Sequence, residues 1–266
     1  MPELPEAESA RAVIERAALG RKIVAVDDTD SYVCRPHLPG QIAAALAGTA
    51  LTAAHRRGKT LWCDTEGGPV LGIHLGMSGK IVIADPDGTE VDGGDYWEYG
   101  RAPGDYRRTR FSLTFADGGM MRLIDPRRLG RIQLDPPLEG LGPDAATISA
   151  AQFASAIQRG HAPVKARLLD QHALAGVGNL LADEILWRAG VNPARPVDTL
   201  NETECQRLCR VLRETIDEAL RGGGVHTLPL VSSRRPGGHC PRDGAELRRA
   251  TVGGRTTFWC PVHQPR

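Results

Sequence analysis

The spacing of apolar residues changes once along this chain, near Thr147, from a period of two to a period of 3.6. Ahead of that point, Ala10, Val13, Ile14, Ala17 and Ala18 fall at helical spacing within residues 5–19, and Gly20 follows, so an amphipathic helix is predicted close behind the N-terminus. Short β-rich runs come next: KIVAV, ALTAAHR, KTLWCD, VLGIHL, GKIVIA, RFSLTFADGG, MMRLID and RIQLD, punctuated by Gly, Pro and Asp. Many short strands without helices between them predict a sandwich or barrel. The stretch DPDGTEVDGGDYWEYGRAPGD, residues 85–105, reads as a long polar loop between two of the strands.

Beyond Thr147, ISAAQFASAIQR, PVKARLLDQ, NLLADEILWRAG and ETECQRLCRVLRETIDEAL are four helical segments, and GVNP gives the third a stop signal. The last block, HCPRDGAELRRATVGGRTTFWCPVHQ, contains two β-like runs joined by VGGR, with a cysteine-containing turn at each outer end. The fold class is therefore multi-domain α+β. A β-sandwich with a leading helix spans 1–135, a helical module 147–224 and a β-hairpin finger 235–266.

With 266 residues, 41% hydrophobic and 24% charged, the chain can bury one large core or two modest ones. Glu3, Glu6, Glu8 and Glu15 interrupt the first twenty residues, so no signal peptide is expected, and no apolar run approaches the roughly 18 residues of a membrane span. The expected compartment is the cytoplasm, with no membrane partner. The net charge of +1 hides a segregation. Residues 101–131 hold eight arginines against three aspartates, and residues 231–266 hold seven arginines against Asp243 and Glu246, each a local balance of +5. Two basic segments in a neutral chain suit a phosphate backbone, or two solvated arginine-rich surfaces.

Four places carry candidate chemistry. Trimming of Met1 would leave Pro2 with a free secondary amine beside Glu3, held on a rigid helix. An α-amino group with a pKa near 8 is partly neutral, and so nucleophilic, at cellular pH. In the finger, Cys240-Pro-Arg-Asp243 and Cys260-Pro-Val-His263 have the spacing of two zinc knuckles. They could form a Cys₂HisAsp site, with His239 as a substitute for Asp243, or a metal-free finger packed on Phe258 and Trp259. Cys205 and Cys209, four apart on a helix, read as half-buried apolar side chains. Finally, AGVGN at 175–179 puts glycines and a capping Asn179 at a helix start, where backbone N–H groups form an anion site. In HLGMSGK, Met77 sits on a tight turn, either as a wedge for a base stack or as a core filler.

MPELPE at the N-terminus, RRGK at 56–59, HLGMSG at 74–79, DPRRLG at 125–130, LLDQ with AGVGN and ADE within 168–184, and GGRTTFWCPVHQ at 253–264 occur in order across nearly the whole chain. Together they resemble the formamidopyrimidine-DNA glycosylase and endonuclease VIII family, and MPELPE resembles the formamidopyrimidine branch. The resemblance implies a helix-two-turn-helix module, a C-terminal zinc finger and a bifunctional DNA glycosylase and AP lyase that removes oxidised bases from damaged double-stranded DNA. It further implies that Pro2 attacks C1′ of the damaged nucleotide and forms a Schiff base, that Glu3 shuttles protons, and that Lys59 and Arg255 assist catalysis at the lesion and its phosphates. Arg108, Lys165 and Asn179 match DNA-contacting positions. Met77, Arg127 and Leu129 match the residues that fill the gap left by an everted nucleotide, whose extrusion costs a few kcal/mol. Glu3 also suits a purely structural role at a helix N-terminus.

Three departures stand out. Leu129 replaces the family's Phe after DPRR. Cys240, Asp243, Cys260 and His263 replace four finger cysteines, with one structural zinc still expected. The stretch GGGVHTLPLVSSRRPGGHC at 222–240 is shorter than the family segment bearing the loop that caps an everted 8-oxoguanine. Alternatives are thus a glycosylase for oxidised pyrimidines or other lesions, and a non-catalytic DNA-damage binding protein. A monomer is expected.

Overall fold

The computed structural model describes residues 2–97 and 101–265. They form two compact units, one of residue 2 with residues 6–138, the other of residues 3–5 with 139–265. Among the described residues no helix is long and apolar enough to cross a membrane.

The first unit contains most of α1 (Leu4–Ala17), then β1 (Ile23–Asp27), α2 (Gln41–Leu46), β2 (Leu51–Arg57), β3 (Thr60–Thr65), β4 (Leu71–His74), β5 (Lys80–Ala84), β6 (Glu90–Gly94), β7 (Thr109–Phe115), β8 (Met120–Ile124) and β9 (Arg131–Leu134). All its strand pairs are antiparallel. One sheet runs β1-β7-β8-β5-β6 and the other β2-β3-β4-β9. Ile23, Ile81, Leu113 and Leu123 of the first sheet share one core with Leu61, Cys63, Ile73 and Ile132 of the second and with Ala10, Val13 and Ile14 of α1. The alternation read from the sequence thus closes into a β-sandwich with a leading helix. Burial pushes the Cys34 and Cys63 thiols up to about 12, so both are inert core residues.

Two elements differ from the sequence expectation. The stretch at 85–105 contains β6, an edge strand paired with β5, although EVDGG has little intrinsic strand preference. Residues 98–100 of that stretch, Tyr99 among them, lie outside the described residues. The short helix α2 is capped from afar: the Asp28 carboxylate accepts from the backbone N–H groups of Gly40, Ile42 and Ala43 at 2.7–3.1 Å.

The second unit comprises α3 (Ala150–Ile157), α4 (Val164–Leu169), α5 (Asn179–Ala189), α6 (Glu202–Gly222), the short α7 (Pro229–Ser233), β10 (Arg248–Val252) and β11 (Arg255–Trp259). Reciprocal capping boxes, Ser149 with Gln152 and Asn201 with Glu204, start α3 and α6, and Gly190 in the left-handed region ends α5. Cys205, Leu208, Cys209, Leu212, Ile216 and Ala219 line the buried face of α6, which fixes both cysteines as packing residues. Between α6 and the finger the chain is compact. Leu228 and Leu230 are buried, and the Leu230 N–H donates to Glu184 Oε2 at 2.9 Å. The β10–β11 hairpin rests on a small core of its own, with Trp187, Leu230, Leu247 and Phe258.

Candidate active site and nucleic-acid interface

The head of α5 is built around a carboxylate. The N-cap is Gly178, whose extended backbone carries no side chain to cap with, and Asn179 is already the first helical residue. Glu3 supplies what is missing. Its carboxylate accepts from Gly178 N at 3.0 Å, Leu180 N at 2.8 Å and Leu181 N at 3.0 Å, and Leu4 N donates to Gly176 O at 3.2 Å. Asn179 was predicted to cap this helix. Its amide instead donates to Thr256 O at 3.0 Å, because a fully buried carboxylate at the positive end of the helix is the stronger acceptor. The anion site read from AGVGN is therefore filled by the protein's own Glu3. Gln171 braces the turn, donating to Leu169 O and Val177 O and accepting from Gly176 N, each at 2.9–3.0 Å. Pro2, one residue before Glu3, is buried.

Lys165 does not lie on a surface. Its side chain is fully buried in α4, with Nζ 2.7 Å from Asp183 Oδ1, 2.7 Å from Thr257 Oγ1 and 3.2 Å from Thr256 O. The expected direct contact with DNA is thus corrected to an internal one, since its ammonium has no exposed face. Burial pulls its pKa below the ordinary lysine value, and Asp183 opposes that shift. Asp183 also accepts from Arg234 at 2.8–2.9 Å and from the backbone of Phe258 at 3.0 Å. One buried carboxylate therefore joins α4, α5, the α7 end and β11. At the tip of the hairpin, Arg255 pairs with Val252 across the Gly253–Gly254 turn and is exposed.

At the base of the hairpin, one ligand atom each from Cys240, Asp243, Cys260 and His263 lies within 4.8 Å of the others. His263 Nδ1 is 3.0 Å from Asp243 Oδ2, Asp243 Oδ2 is 3.2 Å from Cys260 Sγ, and His263 Nδ1 is 3.8 Å from Cys240 Sγ. A tetrahedral cation with ligand bonds of 2.0–2.3 Å spaces its donors at roughly 3.3–3.8 Å, so two thiols, an imidazole and a carboxylate here fit such an ion. His239, the alternative ligand, is exposed, bridges Glu246 through its backbone and lies outside this cluster, whose fourth donor is Asp243.

In the first unit, the turn after β4 and the turn after β8 form one structure around Asp125. This fully buried carboxylate accepts from the Ser78 hydroxyl, from Arg127 N at 3.2 Å and from Gly130 N at 2.7 Å. Gly76, at φ +60°, lets the two turns touch: a Cβ there would lie 2.3 Å from the Leu129 carbonyl carbon. The assembly displays Arg127, which is exposed, Leu129, which is 39% exposed, and Met77, which is half-buried and absent from the sandwich core. Arg108 is exposed on the approach to β7, and its carbonyl accepts from Asp125 N at 3.0 Å. Lys59 sits half-buried in the tight β2–β3 turn, and Arg56, three residues earlier in β2, pairs with Glu8 of α1 at 2.7 Å.

The structure thus gathers Glu3, Asn179, Lys165 and Arg255 in one unit and Lys59, Met77, Arg108, Arg127 and Leu129 in the other. Sequence reasoning did not single out Asp125, Asp183, Gln171 or Ser78 as organisers. Their signal was present, since each lies inside a quoted motif, but nothing in the sequence says which buried donors a carboxylate will collect.

The model of the Formamidopyrimidine-DNA glycosylase N-terminal domain matches residues 1–132, and that of the Formamidopyrimidine-DNA glycosylase H2TH domain matches residues 140–228. A formamidopyrimidine-DNA glycosylase of Nocardioides sp. is 35% identical, the alignment covering 100% of this chain and 95% of that protein. Among solved structures, Lactococcus lactis Fpg in complex with DNA containing an abasic site is 26% identical with a TM-score of 0.82, covering 99% of this chain and 100% of that one. A MutM in complex with DNA containing carbocyclic 8-oxo-G has the same identity, 26%, and the same TM-score, 0.82, covering 100% of both chains.

Proposed function

Because the chain belongs to the formamidopyrimidine-DNA glycosylase family, we propose that it is a bifunctional glycosylase and AP lyase that excises formamidopyrimidine- or 8-oxoguanine-type bases from duplex DNA. The observation that carries this reading is the Glu3 carboxylate, held by three backbone N–H groups directly after Pro2. A group fixed in this way is pre-oriented for proton transfer and costs little further ordering.

In this reading, once Met1 is removed the Pro2 amine attacks C1′. The bond from C1′ to the base breaks, the base leaves with a proton, and the opened sugar is held as an iminium. Elimination then removes a proton from C2′, forms the C2′–C3′ double bond and breaks the bond from C3′ to its phosphate oxygen, which leaves as the phosphate. Glu3 exchanges protons with the sugar oxygen, and Lys59 and Arg255 serve the leaving groups and phosphates. Met77, Arg127 and Leu129 fill the vacated stack, while Arg108 and Asn179 hold the backbone. Lys165 contributes indirectly by fixing the hairpin through Asp183. The functional division runs 1–135, 147–224 and 235–266, and the protein works as a monomer in the cytoplasm. One zinc ion held by Cys240, Asp243, Cys260 and His263 would stiffen the finger.

The compact 222–240 segment favours a second reading in which the preferred lesion is an oxidised pyrimidine, because no long loop among the described residues is available there to cap an everted purine. The deciding experiment is borohydride trapping on a duplex with one abasic site, comparing wild type with Pro2→Gly and with a form carrying an extra N-terminal residue. A covalent complex from wild type alone supports the mechanism, and a lesion panel then separates the two preferences. Tight binding without trapping would leave a damage-binding protein instead.

A further inference from the structure

The stretch from 85 to 105 has no part in the chemistry proposed above, yet its described residues are firmly built. Glu90 of β6 is a hub: it accepts from the Arg101 guanidinium, the Tyr106 hydroxyl and Gly104 N, and Arg122 stacks on Tyr106 at 3.8 Å. These contacts pin residues 101–106 against the sheet and shape a cleft of about 220 Å³ whose lining includes Trp97, Arg101, Asp105, Arg107, Arg108 and Pro126.

Two features of this cleft suit a nucleotide. Its contents pair an aromatic surface with guanidinium groups, the combination that binds nucleic acid by base stacking and phosphate contact. Among the described residues no carboxylate pairs with Arg108, whereas Arg107 is neutralised by Asp105 at 2.8 Å. In addition, the Arg101 side chain is 7% exposed, and among the described residues its buried Nε has no hydrogen-bond partner, a donor left over inside the cleft wall.

Position supplies the rest of the argument. Trp97 Nε1 donates to Ser78 O at 3.3 Å, which places the indole beside the residue that follows Met77, and Pro126 precedes Arg127. Successive residues are about 3.8 Å apart and successive nucleotides of one strand rise about 3.4 Å. With Met77 and Arg127 at the vacated stack of a duplex, a cleft one residue away lies at the distance of an adjacent nucleotide. We propose that the Trp97–Arg101–Arg108 cleft is a DNA subsite that takes a nucleotide flanking the lesion, its base or sugar against Trp97 and its phosphate on Arg108. This inference rests on the glycosylase reading for the placement of the duplex.

The test uses the full chain with Trp97→Leu, which stays apolar but loses the π-face, and Trp97→Phe, which keeps a ring. Affinity is read by anisotropy at fixed salt on a duplex carrying a tetrahydrofuran abasic analogue, and again on a duplex truncated at the flank of that analogue. Loss of one stacked base weakens binding by roughly 5- to 150-fold, and that is the expected effect of Trp97→Leu on the long duplex. Trp97→Phe stays close to wild type, and on the truncated duplex the Leu and wild-type proteins converge. Equal binding of the Leu and wild-type proteins to the long duplex would overturn the subsite. Borohydride trapping of wild type, run in parallel, reports on the catalytic reading separately: its failure would sink that reading while the affinity comparison still decides the cleft.

Discussion

Gly178 and Glu3 are fitted to each other: the Gly178 N–H donates to Glu3 Oε2 at 3.0 Å, and a Cβ at position 178 would lie 2.2 Å from Glu3 Cδ. The Gly178 backbone is extended, with φ −114° and ψ −168°, so alanine meets no backbone strain there and acts only by pushing the carboxylate away. Gly178→Ala is therefore expected to slow single-turnover cleavage of an abasic duplex by roughly 10²- to 10⁴-fold, the range for loss of a positioned acid or base. Duplex affinity should change far less. Glu3→Gln, which has a single acceptor oxygen to offer three donors, should fall in the same range. Full activity in Gly178→Ala would show that Glu3 serves only as a cap.

Asp125 holds Ser78, Arg127 and Gly130 together, so it fixes where Met77, Arg127 and Leu129 are displayed. Asp125→Ala leaves the Ser78 hydroxyl and the Gly130 N–H without that acceptor, at about 1–3 kcal/mol for each unsatisfied group, while Arg127 N keeps Ser78 Oγ at 3.2 Å. The expected outcome is a clear drop in the unfolding midpoint of the first unit and weaker binding to an abasic duplex. Arg127→Ala, an exposed change, should weaken binding without moving the midpoint. Denaturation and anisotropy on the same samples separate the two effects.

The regular elements were legible where the pattern was long and periodic. Helix α6 announces itself through Asn201, Glu204 and the buried stripe from Cys205 to Ala219, and β3 through the alternation around Leu61 and Cys63. Elements fixed by distant partners were hidden. Strand β6 exists because β5 offers a free edge, and α2 because Asp28 reaches its N-terminus across twelve residues of chain. The same physics explains the misreading of Asn179. A local capping residue was visible, but Glu3 was not, because it lies 175 residues from the donor it satisfies at Gly178. Motif identity pointed to candidate residues, whereas the carboxylates that hold their segments, Asp125 and Asp183, depend on which buried donors folding collects.

The four finger donors sit over a small core, and the larger helical core contains none of them. Purified protein is expected to carry zinc near one ion per chain by elemental mass spectrometry, and Asp243→Ala or His263→Ala to lose most of it. Removal with a chelator should change the fluorescence of Trp187 and Trp259 while the far-ultraviolet helix signal persists. Affinity for an abasic duplex should fall, because the strand bearing Arg255 would lose its anchor at Cys260. Unchanged fluorescence and affinity in the metal-free protein would mean that packing alone holds the finger.

The buried Asp183 carboxylate faces two cations, Lys165 at 2.7 Å and Arg234 at 2.8 Å, together with the Phe258 N–H. Removing one member of a buried ionic set costs about 3–5 kcal/mol when it strands the opposite charge. Asp183→Ala strands two cations and frees β11, so it should incur at least that loss. Lys165→Met fills the same space and leaves Asp183 still paired with Arg234, so the expected penalty is smaller. Chemical denaturation followed by circular dichroism should rank the variants in that order, and both should weaken duplex binding through the displaced hairpin tip. Equal penalties would mean that Arg234 does not compensate Asp183, and that the Lys165 pair alone fastens β11 to α5.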